Sequence, residues 1–552
     1  MNNFLKLASF SALMLILSSC AGSKTITDTE TETNKGAESN AEAEAVTATE
    51  TWHLAPANAS PYLGTGVEKA YNKILADKSP QKKVVVAIID SGTDIHHEDL
   101  QGKIWVNDDE IPGNNVDDDN NGYVDDIYGW NFIGGPDSTH VNKDTYEVTR
   151  LYAKLSERFE GVPVDSVAPE NQEDYEYYLQ IKEDFNKRVD KNNMEMMQIS
   201  QFRQAIASAK QTLGVSSIDS LSMKELQMTE NDSPQEQQAK QIIGAIKSQG
   251  ASEKDIQDVE DYYEHVSGLA EYGLNPEFDP RHIVGDDYDD LSDRYYGNND
   301  VVGPTADHGT HVAGIVGAIR NNDLGAQGIA GNVELMILRT VPDGDERDKD
   351  VANAIRYAAE NGADIMNMSF GKGYSPQKEY VDAAMQYADS VGVLMVSGSG
   401  NGSENTDSTD TYPTRYYENG GKANNYLSVG ASSWHSDSTL AANFSNYGKE
   451  NVDLFAPGVD VYSTFPNNSY EPNSGTSMAS PVVAGVAALI MSYYPELTAT
   501  QVKEIILETV TEVDQVVYKP GNGEAVPFSQ LSSSGGIINA YDAIQRAEEL
   551  TN

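Results

Sequence analysis

The sequence predicts an α/β fold: a central, mostly parallel sheet with helices on both faces, plus an α-helical insertion. Three observations lead there. Residues 84–90 (Val-Val-Val-Ala-Ile-Ile-Asp) form a continuous, largely β-branched run, which reads as a strand buried on both faces, the habit of parallel sheets. Further apolar runs at 334–338, 363–368 and 391–396 read as central strands that alternate with helical patterns. Residues 134–280 are charged and periodic, as in 173–182 and 237–246, and read as four to six amphipathic helices with Ser216, Asp219, Ser222 and Ser252 as candidate caps.

The remaining elements follow in chain order. A short basic end, an apolar stretch over 7–17 and small residues after it make residues 1–19 a secretory signal; the stretch is shorter than the about 20 apolar residues of a membrane span. Cys20 is the one cysteine in the chain, so no intramolecular disulfide is expected. Leu17-Ser18-Ser19-Cys20-Ala21-Gly22 resembles a bacterial lipobox, which implies cleavage before Cys20 and lipid attachment to its thiol. The protein is then expected to be exported and lipid-anchored to a bacterial membrane, facing periplasm or cell surface. The lack of aspartate after Cys20 favours the outer membrane, by analogy with Gram-negative lipoproteins. Residues 20–50 hold almost no large apolar side chains and read as a disordered acidic tether. One α/β domain is expected from 51–133 and 281–552, interrupted by the insertion at 134–280. Residues 51–80 are too few for an independent domain and read as an N-terminal extension of that α/β domain.

The formal net charge of −48 over 552 residues excludes nucleic acid as a partner, because a phosphate backbone would be repelled. Such a balance suits either a solvated exported surface or cation binding.

The chemistry is concentrated in four short segments. Gly475-Thr476-Ser477-Met478-Ala479-Ser480-Pro481 leads into the apolar run 482–489, so Ser477 stands at the start of a buried helix. The first N–H groups of a helix lack internal partners and the dipole is positive there, so a serine at that point can attack a carbonyl while its own N–H holds the oxyanion. Pro481 is expected to cost little, on the reading that it lies among those free N–H groups. A nucleophilic serine needs a base, and the base an orienting acid. His308 lies among small residues in Asp307-His308-Gly309-Thr310-His311. Asp90 ends the first strand, where α/β sheets place their sites. Asn401 follows another strand, and its amide offers a second oxyanion donor. Taken singly, each has a bland reading: a packed turn, a core or metal-binding histidine, a structural aspartate.

Together, in the order Asp, His, Asn, Ser, these segments resemble the subtilisin-like serine proteases (peptidase S8, subtilases). Ile89-Asp90-Ser91-Gly92, His308-Gly309-Thr310-His311-Val312-Ala313-Gly314, Gly400-Asn401 and Gly475–Ala479 carry the resemblance. Lesser matches are Met368-Ser369-Phe370-Gly371, Phe444-Ser445-Asn446-Tyr447-Gly448 and Ala456-Pro457-Gly458. The resemblance covers roughly 80–133 and 280–546 and implies a subtilisin-like three-layer fold. It also implies a serine endopeptidase, a monomer, acting on exported or environmental polypeptides. Ser477 would attack, His308 carry the proton, Asp90 orient the imidazole, and Asn401 with the Ser477 N–H hold the oxyanion. Ser369, Phe370 and Gly371 would line one side of the substrate cleft, Ser399 and Gly400 the other, with the peptide added between them as a strand. An α/β-hydrolase is disfavoured because the serine comes last in the chain, and a zinc hydrolase because no His-Glu-x-x-His occurs. A binding protein without hydrolysis, or a processing enzyme dedicated to one partner, remain as alternatives on the same scaffold. For the insertion, a stabilising decoration, a gate over the cleft, a partner-holding module and an internal folding aid all stay open.

Calcium is the expected cofactor, in a structural role. Asp117-Asp118-Asp119-Asn120-Asn121-Gly122-Tyr123 has the Asp-x-Asp-x-Asn-Gly start of a calcium loop. Asp117, Asp119 and Asn121 would offer side-chain oxygens, Tyr123 its carbonyl, and Asp125 or Asp126 would complete the set. The twelfth position is Tyr128 rather than glutamate, so a free-standing loop is expected and not an EF-hand. By resemblance alone, Asp99 would ligate a second ion with help from the loop 319–323.

Overall fold

The computed structural model describes residues 48–56 and 62–552. The signal, Cys20 and most of the tether lie outside the described residues. The described chain divides into two compact units, Glu183–Leu274 and the remainder, Ala48–Lys182 with Asn275–Asn552.

The larger unit is built on a nine-stranded sheet. Its strands are β1 (Val84–Asp90), β2 (Gly129–Asn131), β3 (Val333–Arg339), β4 (Ile365–Met368), β5 (Leu394–Gly398), β6 (Tyr426–Ser432), β7 (Leu454–Pro457), β10 (Thr511–Glu512) and β13 (Gly536–Ile537). The spatial order is β10-β13-β7-β6-β5-β4-β1-β3-β2, and every neighbouring pair is parallel except β10 with β13. Two hairpins stand apart: β8 (Val461–Phe465) with β9 (Ser469–Asn473), and β11 (Val516–Tyr518) with β12 (Ala525–Pro527).

The helices are α1 (Val67–Lys73), α2 (Glu147–Phe159), α3 (Gln172–Leu213), α4 (Pro234–Ser248), α5 (Glu253–Gly268), α6 (Asp307–Gly317), α7 (Asp348–Glu360), α8 (Lys378–Ser390), α9 (Thr476–Tyr493), α10 (Ala499–Glu508) and α11 (Ala540–Thr551). Strand side chains alternate between faces, and this splits the core in two. Val86 and Ile88 point into one cluster with Val312 of α6 and Val482, Val486 and Ile490 of α9. Ala87 and Ile89 point into the other, with Ile355 of α7 and Met385 of α8. A strand buried on both faces must be apolar at every position, which accounts for the unbroken run that ends at Asp90.

α9 is long and apolar enough to cross a membrane by length and composition, yet 94% of that window is buried inside the protein, so it is the central core helix. Pro481 is its sixth residue, beyond the four free N–H groups, and so differs from the expectation above. It has no N–H to offer the Ser477 carbonyl; the Ser369 hydroxyl donates there instead, at 2.9 Å. The segment before β1 packs into the same core: Trp52 and Leu54 are fully buried, and the Trp52 indole donates to the Asp460 carbonyl at 3.1 Å.

The smaller unit has a core of its own. Ile199, Phe202 and Ile206 of α3 meet Ile243 and Ile246 of α4 and Ile256 and Val259 of α5. α4 starts with a reciprocal capping box between Ser233 and Glu236, and at α5 the Asp255 carboxylate accepts the Ser252 N–H at 2.8 Å. Ser252 is thus a helix boundary, while Ser217, not Ser216, caps the 3-10 turn at 218–220. Residues 134–182 and 275–280 group with the larger unit.

Candidate active site

β1 delivers Asp90 to the C-terminal edge of the sheet, paired in register with Arg339 of β3. The Asp90 carboxylate is 2% exposed, and its Oδ1 accepts two hydrogen bonds, from the Ser91 N–H and from His308 Nδ1, both at 2.7 Å. Arg339 steadies the following turn, donating from Nε to the Ser91 carbonyl at 2.9 Å and from a terminal nitrogen to the Val141 carbonyl at 2.8 Å.

His308 is the second residue of α6. That helix end comes so close to β1 that a Cβ on Gly309 would sit 2.0 Å from the Gly92 carbonyl oxygen, so only glycine fits there. Burial pulls the His308 imidazole down, but the Asp90 charge and hydrogen bond outweigh it, and its pKa is raised above the ordinary 6.5. The neighbouring His311 is buried and turned the other way, its Nε2 3.0 Å from the Glu471 carbonyl in β9. This histidine braces the helix on the β8–β9 hairpin.

Ser477 is the second residue of α9, and its hydroxyl donates to the Ser369 carbonyl at 3.1 Å. Asn401 follows β5. Its amide oxygen is occupied by the Thr476 N–H (2.9 Å) and the Thr476 hydroxyl (3.1 Å), which leaves Nδ2 as the outward end. The turn that carries Asn401 is wrapped around Asn446. The Asn446 Oδ1 accepts from the N–H groups of Gly402 and Glu404, and its Nδ2 donates to the Ser399 carbonyl at 2.9 Å.

His308, Ser477 and Asn401 line one cleft of ≈ 640 Å³, together with Ser369, Phe370, Gly371 and Gly400. Ser399 does not. It is 3% exposed, and its hydroxyl donates inward to the Asn446 carbonyl at 3.2 Å, so the substrate role expected for it gives way to a structural one.

The acidic loop is rearranged relative to the sequence expectation. Ligand oxygens of Glu110, Asp119 and Asp126 all lie within 4.8 Å of one another. The Asn121 Nδ2 bridges Asp119 (3.0 Å) and Asp126 (2.9 Å), and the Asn107 Nδ2 does the same at 3.0 and 2.8 Å. Asp125 faces away: its two oxygens take the N–H groups of Gly113, Asn114 and Asn115. Asp117 accepts from the Asn121 and Gly122 N–H groups, which shapes the turn. Tyr123 donates its N–H to Asn121 Oδ1 at 2.8 Å, and its ring packs against Trp130 and Tyr357. Burial raises the carboxyls of Glu110 and Asp126. Asp99 is fully buried beside the 319–326 loop, accepting from Asn322 Nδ2 at 2.6 Å and from the Ala326 N–H at 3.1 Å. Glu110, Asn446 and Thr476 were not singled out by sequence; only the Phe444–Gly448 and Gly475–Ala479 segments pointed toward the latter two.

Comparison with known proteins identifies the family. The profile of the subtilase family (peptidase S8) matches residues 81–524. Subtilisin DY of Bacillus licheniformis is 40% identical over 215 residues, which span 38% of this chain and 73% of that protein. Subtilisin E of Bacillus subtilis (strain 168) is 37% identical over 215 residues, 38% of this chain and 52% of its own length. A thermophilic serine proteinase of Bacillus sp. (strain AK1) is 36% identical over 238 residues, 43% of this chain and again 52% of its own length. The match therefore spans about half of the latter two relatives. With a family profile over most of its length and a parallel sheet that brings His308 and Ser477 to one cleft, Asp90 being hydrogen-bonded to His308, the chain belongs to the subtilase family of serine endopeptidases.

Proposed function

We propose that Asp90, His308 and Ser477 form the catalytic triad of this endopeptidase, with Asn401 Nδ2 and the Ser477 N–H as the oxyanion hole. The observation that carries it is the 2.7 Å bond between Asp90 Oδ1 and His308 Nδ1 at the edge of a cleft that Ser477 also lines. Nδ1 as donor to the carboxylate leaves Nε2 as the base. In the resting arrangement the Ser477 hydroxyl leans on the Ser369 carbonyl. Attack requires rotation about χ1 that turns its proton toward Nε2, a tightening that belongs to the substrate complex. The imidazolium then returns the proton to the leaving amine while Asp90 stabilises it. An extended polypeptide lies between Ser369–Gly371 and the Gly400 turn, held by main-chain hydrogen bonds. Ser477→Ala is expected to abolish covalent labelling by an organophosphonate; labelling undiminished in that variant sinks the assignment.

Calcium is the cation that the Glu110–Asp119–Asp126 group suits. The donors are hard oxygens from three carboxylates, joined by the amide-bearing Asn107 and Asn121, and burial disfavours the charged forms of Glu110 and Asp126 unless positive charge answers them. Bound there, the ion supplies structural cross-linking between the 107–111 and 117–126 segments. A ligand that binds only the folded state stabilises it by about 4 kcal/mol at a thousandfold excess over its Kd. The melting temperature is expected to fall in chelator and to recover on adding calcium, and Glu110→Gln is expected to blunt that response. A melting temperature indifferent to chelator removes calcium from this site.

A further inference from the structure

The loop that leaves β3 runs along the cleft, and its side chains do not balance the charges around them. Asp345 and Glu346 line the same cleft as His308 and Ser477. Behind them lies a buried ionic cluster. Lys372 Nζ reaches Glu147 at 2.7 Å and Asp348 at 2.8 Å, Arg150 reaches Glu147 at 2.6 Å, and Arg347 reaches Asp144 at 2.7 Å. Arg347 also reaches Asp279 at 2.8 Å, so three cations answer four carboxylates, and the side chains of Asp345 and Glu346 are left over. Among the described residues neither carboxylate takes part in a salt bridge. The Asp345 carboxylate accepts a backbone N–H, from Glu147 at 2.8 Å, while Arg150 approaches Asp345 at its backbone carbonyl (3.2 Å). Lys372 approaches Glu346 at its backbone carbonyl (2.8 Å) rather than at its carboxylate.

Glu346 is the sharper case. It is 3% exposed, and its Oε1 is buried without a hydrogen-bond partner. A buried polar oxygen left unpaired is costly, and a buried carboxylate more so. Burial raises its pKa against the pull of Lys372, with Asp345 and Asp348 adding to the rise. A cation arriving from the cleft would supply both the missing donor and the missing charge; a neutral or acidic group would supply neither.

We infer that Asp345 and Glu346 form a subsite that selects a lysine or arginine side chain of the bound polypeptide. This rests on the endopeptidase reading above and adds the substrate class to it. The ammonium or guanidinium would be held by charge-assisted hydrogen bonds to Glu346, with Asp345 as the second acceptor.

The test is a randomised peptide library digested by the full chain, with the products sequenced. The expected result is enrichment of lysine and arginine at one fixed position relative to the cleaved bond. A matched peptide pair with Lys or Gln at that position should differ in kcat/KM by about tenfold or more. Glu346→Gln should pull that ratio toward one, and Asp345→Asn should lower it, in variants whose thermal unfolding shows that they fold. Cleavage with no basic enrichment overturns the subsite without any variant being needed. Enrichment that survives both substitutions overturns its assignment to these residues. Failure of the folded protein to cleave any library peptide overturns the endopeptidase reading and the subsite with it.

Discussion

Asp90→Ala is expected to lower kcat by about 10⁴-fold, with the acid limb of the kcat/KM profile moving to lower pH. The magnitude is carried over from a member of this same family rather than derived from the geometry; the direction of the pH effect follows from this site. In the native protein the Asp90 charge and its bond to Nδ1 together outweigh burial, so the His308 pKa is raised. A raised value means that the imidazole stays protonated, and useless as a base, to a higher pH. Activity is therefore lost as pH falls through a point above the ordinary imidazole value of 6.5. Without the carboxylate only burial remains, and burial disfavours the imidazolium, so the limb must shift down. The profile of the variant against the native enzyme, measured on one peptide substrate, decides this. A limb that stays in place or moves up would show that Asp90 does not govern His308.

Asn401→Ala is the second large effect, with kcat expected to fall by about 100- to 1,000-fold and KM to change little. That range too comes from a relative in the same family and is not an independent estimate. The structural reason to expect it here is the way the amide is held. Thr476 occupies the Asn401 oxygen with both its N–H and its hydroxyl, so the side chain presents Nδ2 outward and cannot flip without losing two hydrogen bonds. A donor fixed in this manner needs no reorganisation when charge develops on the substrate oxygen, and so acts on the transition state more than on binding. A rise in KM at unchanged kcat would place Asn401 in ground-state substrate binding instead. Thr476→Val should reproduce part of the loss by releasing the amide.

The four motif segments were legible because each is a local instruction. The unbroken apolar run into Asp90, the small residues around His308 and the serine ahead of an apolar helix all record contacts within a few residues or a uniform burial on both sheet faces. Pro481 shows the limit of such reading. Its missing N–H is harmless only because Ser369, 108 positions earlier than Ser477, donates to the stranded carbonyl, and no local rule supplies that partner. Ser399 shows another, since its inward turn depends on Asn446 lying beneath it.

By itself, then, the sequence determined the α/β class, the strands flanking the cleft, the order of Asp90, His308 and Ser477 along the chain and the acidic nature of the 117–126 loop. These follow from periodicity, helix-end chemistry and composition, all of which act along the chain. Only the tertiary structure decided which carboxylates meet. Glu110 joins Asp119 and Asp126 while Asp125 is spent on backbone N–H groups, and Glu346 is left without a partner while Asp144, Glu147 and Asp348 find theirs. A carboxylate is satisfied by whatever donor the fold brings within hydrogen-bond distance, and those donors come from segments far away in sequence. Charge matching is therefore a property of the packed molecule and not of the local sequence.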